Sequence, residues 1–289
     1  MRATTFLRII RWPNLLLVLV IQGIGYHFLL DHRVSSLSLS DFLQLSLVTT
    51  ILAASGYVIN DYYDGRMDRI NKPDRWIAGN IWSLEQVLWI YRVLIGVGAI
   101  AAVVLAVRIA FLQYLILYPL AAGGLWLYSY TLKCKPVIGN LWVALFAAGV
   151  LWIVVFPDYL NGHPEAIRSA VWHYGFFAFF TTWYREIIKD LEDLSGDTAA
   201  GCHTFAVLYG IRPAKIMAVV ICVVQIIGLL VWETTLESNH LHLIFTILEG
   251  AMVASAALVW WAKDVQYFSK ASMIVKGVML AGTLLLFVL

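Results

Sequence analysis

Long apolar runs separated by short polar stretches fill almost the whole chain. Their length says what they are: crossing a hydrocarbon core of about 30 Å takes roughly 20 mainly apolar residues in a helix. About nine runs reach that length, near residues 12–30, 41–60, 83–107, 111–130, 137–156, 169–189, 213–232, 241–262 and 270–288. None alternates polar and apolar positions over the roughly ten residues that a barrel strand would show, and a helix satisfies its own backbone groups in lipid. The pattern therefore predicts an all-α polytopic membrane protein, read as one transmembrane domain over residues 1–289. A short basic segment precedes the first run and no small-residue cleavage site follows it, so that run is expected to be a retained helix.

Composition agrees, with 61% hydrophobic and only 13% charged residues and a mean hydropathy of +0.80, values that place the chain in a bilayer. The basic residues are distributed unevenly. One side of the expected membrane collects Arg2, Arg8, Arg11, Arg66, Arg69, Lys72, Arg75, Lys133, Lys135, Arg185, Lys189, Arg212, Lys215, Lys263 and Lys270, and the other only Arg33, Arg108 and Arg168. Lys and Arg mark the cytoplasmic side, so the amino terminus is expected in the cytoplasm and the carboxyl terminus outside. A net charge of +2, explained by that sidedness, argues against nucleic-acid binding. Cys134, Cys202 and Cys222 suggest neither a disulfide framework nor a metal-ligand spacing and are expected to be packing residues.

The chemistry lies in two acidic stretches. Asn60, Asp61, Asp64 and Asp68 stand in NDYYDGRMDRINKPDR at the end of the second run; Asp190, Asp193 and Asp197 stand in YREIIKDLEDLSGD at the end of the sixth. Both carry the spacing D-x-x-D-x-x-x-D, 129 residues apart, which hints at an internal duplication. Steps of three and four return to one helix face, so each set is expected to form a carboxylate stripe, although Gly65 and Gly196 inside the sets can bend or end the helices. Like charges so placed repel one another, and a cation would offset that cost. Carboxylate oxygens suit Mg²⁺, which keeps some waters and binds substrate phosphates through one or two carboxylates at a time. Two facing stripes would hold a diphosphate through such ions. Asp158 and Glu192, outside the pattern, fit ordinary solvated loop charges.

Diphosphate charge left over attracts Lys and Arg. Lys72 and Arg75 follow the first set, and Arg185 and Lys189 precede the second on one helix face; Lys189 and Lys72 are the preferred phosphate ligands, with Arg11 at the mouth of the first run as a further candidate. The fourth run ends in LYSYTLKCKPVIGN, bringing Tyr128, Tyr130, Lys133, Lys135 and Asn140 to the same side. Tyrosines commonly form interfacial belts. Tyr130 and Lys133 are nonetheless candidate diphosphate contacts, and an aromatic face stabilises an adjacent cation. His203 is read as a loop residue without a catalytic role, and the other histidines form no metal set.

Together IRWPN, NDYYDGRMDRINKPDR, LYSYTLKCKPVIGN and REIIKDLEDLSGD make the chain resemble the UbiA superfamily of intramembrane prenyltransferases over nearly its whole length. The resemblance implies nine transmembrane helices around a central cavity, and Asn/Asp-rich motifs that bind Mg²⁺ and an isoprenyl diphosphate. It puts Asn60, Asp64 and Asp68, with Asp61 adjoining, in the first metal motif and Asp190, Asp193 and Asp197 in the second, with Asp64, Asp68, Asp190 and Asp193 carrying catalysis. The stretch REIIKDLEDLSGDTAAGCHT is most similar to the digeranylgeranylglyceryl phosphate synthase branch, whose members transfer a geranylgeranyl group to geranylgeranylglyceryl phosphate. The chain departs from the family pattern at Trp76, Ile77, Ala78, Gly79 and Asn80 after NKPDR, and at Thr204, Phe205 and Ala206. The expectation is a Mg²⁺-dependent transfer of a prenyl group, such as geranylgeranyl, to a lipophilic acceptor in a bacterial or archaeal cell membrane. An aromatic acceptor such as 4-hydroxybenzoate or a naphthoate is the nearest enzymatic rival. A cation transporter is the rival of another class, since intramembrane acids line ion paths.

Overall fold

The computed structural model describes residues 2–31, 35, 37–71, 73, 76–164, 167–236 and 239–287, with the side chains of Arg2, Arg66, Asn239 and His240 left aside. The helices are α1 (Arg2–Ile9), α2 (Trp12–Ile24), α3 (Leu39–Asn71), α4 (Leu84–Arg108), α5 (Tyr114–Tyr130), α6 (Ile138–Leu160), α7 (Ala170–Glu192), α8 (Leu194–Ala199), α9 (Phe205–Tyr209), α10 (Ile211–Glu233), α11 (Asn239–Trp260) and α12 (Val265–Leu285). A π-helical turn, Gly25–Leu29, prolongs α2. Among the described residues extended pairing is limited to two isolated bridges, as the apolar runs require.

Seven described helices are long and apolar enough to cross a membrane. The two expected spans outside that set fall on α5 and α7. The first is short, with 17 residues; the second carries Thr181, Thr182, Arg185, Glu186, Lys189 and Asp190 along its length. Length and composition thus qualify seven spans rather than nine. The polar groups that dilute α7 include Lys189 and Asp190 of the second acidic stretch.

Contacts between residues divide the chain into two compact units, Met1–Leu132 with Ile153–Arg168, and Lys133–Trp152 with Ser169–Leu289. In the first unit α3 packs against α2, α4 and α5, and α4 against α5. α3 has 33 residues, roughly 50 Å at 1.5 Å per residue, so about 20 Å extends beyond a 30 Å hydrocarbon layer. The first acidic set lies in the C-terminal part of α3. Beneath it Ile9, Ile10, Leu15, Ala54, Val58, Ile77, Ala78 and Val87 form one buried cluster, joining both short N-terminal helices, α3, the 76–82 loop and the start of α4. Asp158 is a correction to the sequence reading: it is fully buried and accepts a 2.7 Å hydrogen bond from Ser35 Oγ. Water is replaced by a hydroxyl that a linear reading does not bring near.

In the second unit α7, α10, α11 and α12 close a ring in which each helix touches the next. Glycine permits the closest approaches. A Cβ at Gly228 would lie 2.1 Å from the Phe176 ring, and one at Gly282 2.3 Å from the Phe177 ring. Hydroxyls link the same helices: Tyr184 to Ser255 at 3.0 Å, Ser255 to the Ala271 carbonyl at 3.2 Å, and Tyr174 to Thr283 at 2.9 Å. Inside a bilayer, where apolar burial drives little helix association, close packing and such bonds hold helices together.

Candidate active site

The first acidic set lies on continuous helix, since α3 runs through Gly65 to Asn71. Asn60 Nδ2 donates to Asp64 Oδ2 at 2.6 Å, one turn along the same face. Asp61 is buried and accepts a 2.9 Å charged bond from Arg11 Nη2. Arg11 has the left-handed backbone φ 52°, ψ 52° at the break between α1 and α2, a conformation uncommon outside glycine, and its guanidinium lies 5.0 Å from the Tyr57 ring centroid. The turn thus aims Arg11 at the acidic face. Arg69 stands 5.8 Å over the Trp76 ring, and Trp76 Nε1 donates to the Ala78 carbonyl at 2.6 Å. The Trp-Ile-Ala-Gly-Asn departure from the family pattern therefore folds back on the end of α3.

The second set is not one stripe. α7 ends at Glu192, Asp193 leaves helical geometry at φ −93°, ψ 7°, and Asp197 lies in α8. The break comes three residues before Gly196, the position that sequence made suspect. Tight turns persist across it, with Asp193 N–H donating to the Lys189 carbonyl at 2.8 Å and Asp197 N–H to the Asp193 carbonyl at 3.0 Å. Asn140 Nδ2, at the start of α6, donates to Asp190 Oδ2 at 3.1 Å. Desolvation pushes the Asp190 carboxyl, at the polar end of α7, up to about 8; the Asn140 bond pulls the other way, Glu186 and Asp197 raise it further, and Lys189 lowers it.

Lys189 does not rest against Asp190. Its Nζ donates to both Glu186 oxygens at 2.9 and 3.0 Å, and Arg185 Nη1 lies 3.5 Å from the same carboxylate. Tyr130 is exposed, stacks on Trp126 at 5.0 Å and meets Tyr63 edge-on at 5.6 Å, so an aromatic group stands beside the first acidic set. Lys133 is half-buried in a 3₁₀ turn, Leu132–Cys134. Lys72 and Arg75 lie outside the described residues.

Asn140 and Glu186, which the sequence reading leaves out of the candidate site, bond Asp190 and Lys189. Asn140 was seen only as part of a polar segment, and its partner is 50 residues away. Glu186 has a local signal, the E-x-x-K spacing with Lys189, which favours an ion pair on a helix. The cysteines need a correction as well: Cys134 and Cys202 form a disulfide across 68 residues, while Cys222 is the buried thiol expected. Only the tertiary approach of two loops pairs them.

Among the described residues no three acidic, His or Cys side chains converge closely enough to hold a metal by themselves. Both donor sets are nonetheless oxygen-rich, and the first adds an amide. That suits Mg²⁺, whose coordination is completed by water and substrate phosphate. A desolvated carboxyl such as Asp190 is stabilised in its ionised form by a nearby cation.

A helical membrane protein carrying two acidic sets, each with cations nearby, has the donors to bind an anionic substrate through Mg²⁺. The UbiA prenyltransferase family model matches residues 19–276. Digeranylgeranylglyceryl phosphate synthase of Methanosphaera stadtmanae is 33% identical over 229 residues, covering 79% of this chain and 78% of that protein. A solved structure described for digeranylgeranylglyceryl phosphate synthase in membranes shares the fold with TM-score 0.70 and 23% identity, covering 100% of this chain and 98% of the other. A UbiA homologue from Archaeoglobus fulgidus bound to GPP and Mg²⁺ has TM-score 0.63 and 15% identity, covering 96% and 98%. The chain belongs to the UbiA prenyltransferase family, and it is an integral membrane prenyltransferase.

Proposed function

We propose that this enzyme moves a geranylgeranyl group from its diphosphate to the free hydroxyl of geranylgeranylglyceryl phosphate, with Mg²⁺ as cofactor, the chain acting as a single prenyltransferase domain. The observation that carries the reading is the repeated acidic set, once on α3 and once across the α7–α8 break, each beside positive charge. Relatives named for this transfer support the acceptor. Asn60, Asp61, Asp64 and Asp68 on one side of the repeat, and Asp190, Asp193 and Asp197 on the other, are the proposed metal ligands, with Asp64, Asp68, Asp190 and Asp193 essential to the reaction. Arg11, Lys72, Arg75, Tyr130, Lys133 and Lys189 are the proposed diphosphate contacts.

When bound, Mg²⁺ neutralises charge developing on the departing diphosphate. The chain's own groups do the rest. The carboxylates would hold the Mg²⁺, Lys and Arg add charge-assisted bonds to phosphate oxygens, and apolar helices take up the prenyl tail and keep water from the electrophilic carbon. Charge sidedness supports a cytoplasmic amino terminus, an external carboxyl terminus and acidic sets at the cytoplasmic face. Purified protein incubated with labelled geranylgeranyl diphosphate should prenylate geranylgeranylglyceryl phosphate; transfer to 4-hydroxybenzoate alone would overturn the acceptor.

A further inference from the structure

The Cys134–Cys202 bond stands where a covalent link bears on the second acidic set. Cys202 N–H donates to the Asp197 carbonyl at 2.9 Å, closing a short turn around Gly201, and His203 N–H donates to the Cys134 carbonyl at 2.9 Å. Cys134 follows Lys133 directly, in the 3₁₀ turn before α6, and Asn140 on α6 bonds Asp190. The disulfide therefore ties the segment carrying Lys133 to the segment carrying Asp197, both inside the second compact unit.

Three features make it a reacting bond. Cys134 is half-buried, which leaves one of the two sulfurs reachable, while Cys202 is buried. Lys133 and Lys135 flank it in sequence, placing positive charge beside the sulfur that an incoming anionic thiolate would attack. Finally, this loop is on the side that charge bias assigns to the cytoplasm, where thiols are held reduced and protein disulfides are commonly transient or redox-sensing. Cys222 shares none of these features, being buried within α10.

We propose that Cys134 and Cys202 are a redox-sensing pair that couples the local thiol–disulfide balance to diphosphate binding, by clasping Lys133 and Asp197 in register when oxidised. The coupling rests on the proposed function. In reduction, a glutathione thiolate attacks one Sγ, breaking the S–S bond and forming a mixed disulfide while the other cysteine leaves as thiolate. A second glutathione thiolate then attacks the glutathione sulfur of that mixed disulfide, releasing the remaining cysteine as a thiolate and forming oxidised glutathione. Two electrons and two protons end on Cys134 and Cys202, and two glutathiones leave as one oxidised glutathione. Reduction removes the covalent clasp between the two loops.

The test equilibrates the purified full-length protein across a series of reduced-to-oxidised glutathione ratios, traps thiols by alkylation and reads Cys134, Cys202 and Cys222 by peptide mass. Affinity for geranylgeranyl diphosphate with Mg²⁺ is measured at each ratio. Cys134 and Cys202 should change together within the series while Cys222 stays a thiol, with affinity falling about fivefold or more on reduction. The double variant Cys134→Ser/Cys202→Ser should bind like the reduced protein at every ratio. A pair that stays fully reduced or fully oxidised throughout overturns the sensor, as does equal affinity in both states or a double variant that still responds. The wild-type comparison needs no substitution, so a misfolded variant does not remove the test. Cysteine titration needs no substrate. A pair that titrates in a protein binding no prenyl diphosphate in either state confirms the redox couple and overturns the proposed function and the coupling together.

Discussion

At the scale of single residues, two patterns of partnership divide the site. Asp64 is bonded within its own helix by Asn60, whereas Asp190 takes its amide from another helix. Replacing Asp64 or Asp193 by Ala should each lower Mg²⁺-dependent prenyl transfer by about 100-fold or more, as loss of a group stabilising transition-state charge does; a steady-state assay with labelled prenyl diphosphate checks it. Asn140→Ala should act more mildly and through the metal, raising the Mg²⁺ concentration for half-maximal activity about tenfold, the lower range for partners that orient metal ligands. A magnesium titration reads that outcome. The carboxylates were legible because charge at helical spacing is costly and rarely accidental. Asn140 was not, because an amide among polar loop residues shows its role only through the carboxylate it touches.

At the scale of elements, helix ends follow local chemistry that sequence states outright. Ser83 and Gln86 make the reciprocal capping box at the start of α4, with bonds of 3.0 and 3.2 Å, so that start fell within a residue of expectation. Ser83→Ala should cost about 1 kcal/mol, measured by unfolding in detergent. The α7–α8 break had no comparable signal: Gly196 was the suspect, but the chain leaves the helix at Asp193. Packing glycines were equally silent. Gly228→Val would press its side chain into the Phe176 ring and should destabilise the second unit by about 1–3 kcal/mol, seen as a lower thermal midpoint while α4 mutants with normal packing are unaffected.

At the scale of the molecule, seven spans among the described residues qualify by length and composition, and the count of crossings decides whether the termini share a side. The charge bias predicts that they do not. Reporter fusions should place the amino terminus in the cytoplasm and the carboxyl terminus outside; both on one side would require an even number of crossings, which neither nine nor seven spans gives, and would overturn the expected count. The short α5 and polar α7 are where composition alone loses its power, since short length in one and polar residues along the other weaken the signal that marks a span.

Sequence by itself determined the helical membrane class, the family and the two acidic sets, because hydrophobic run length and charge spacing act locally along a chain. Tertiary structure decided what those charges meet. It paired Arg11 with Asp61 and Asn140 with Asp190, each across 50 residues, buried Asp158, and joined Cys134 to Cys202 across 68. A covalent or polar partner at that distance leaves no periodic trace in sequence, because the geometry that brings it near comes from helix packing rather than from neighbouring residues.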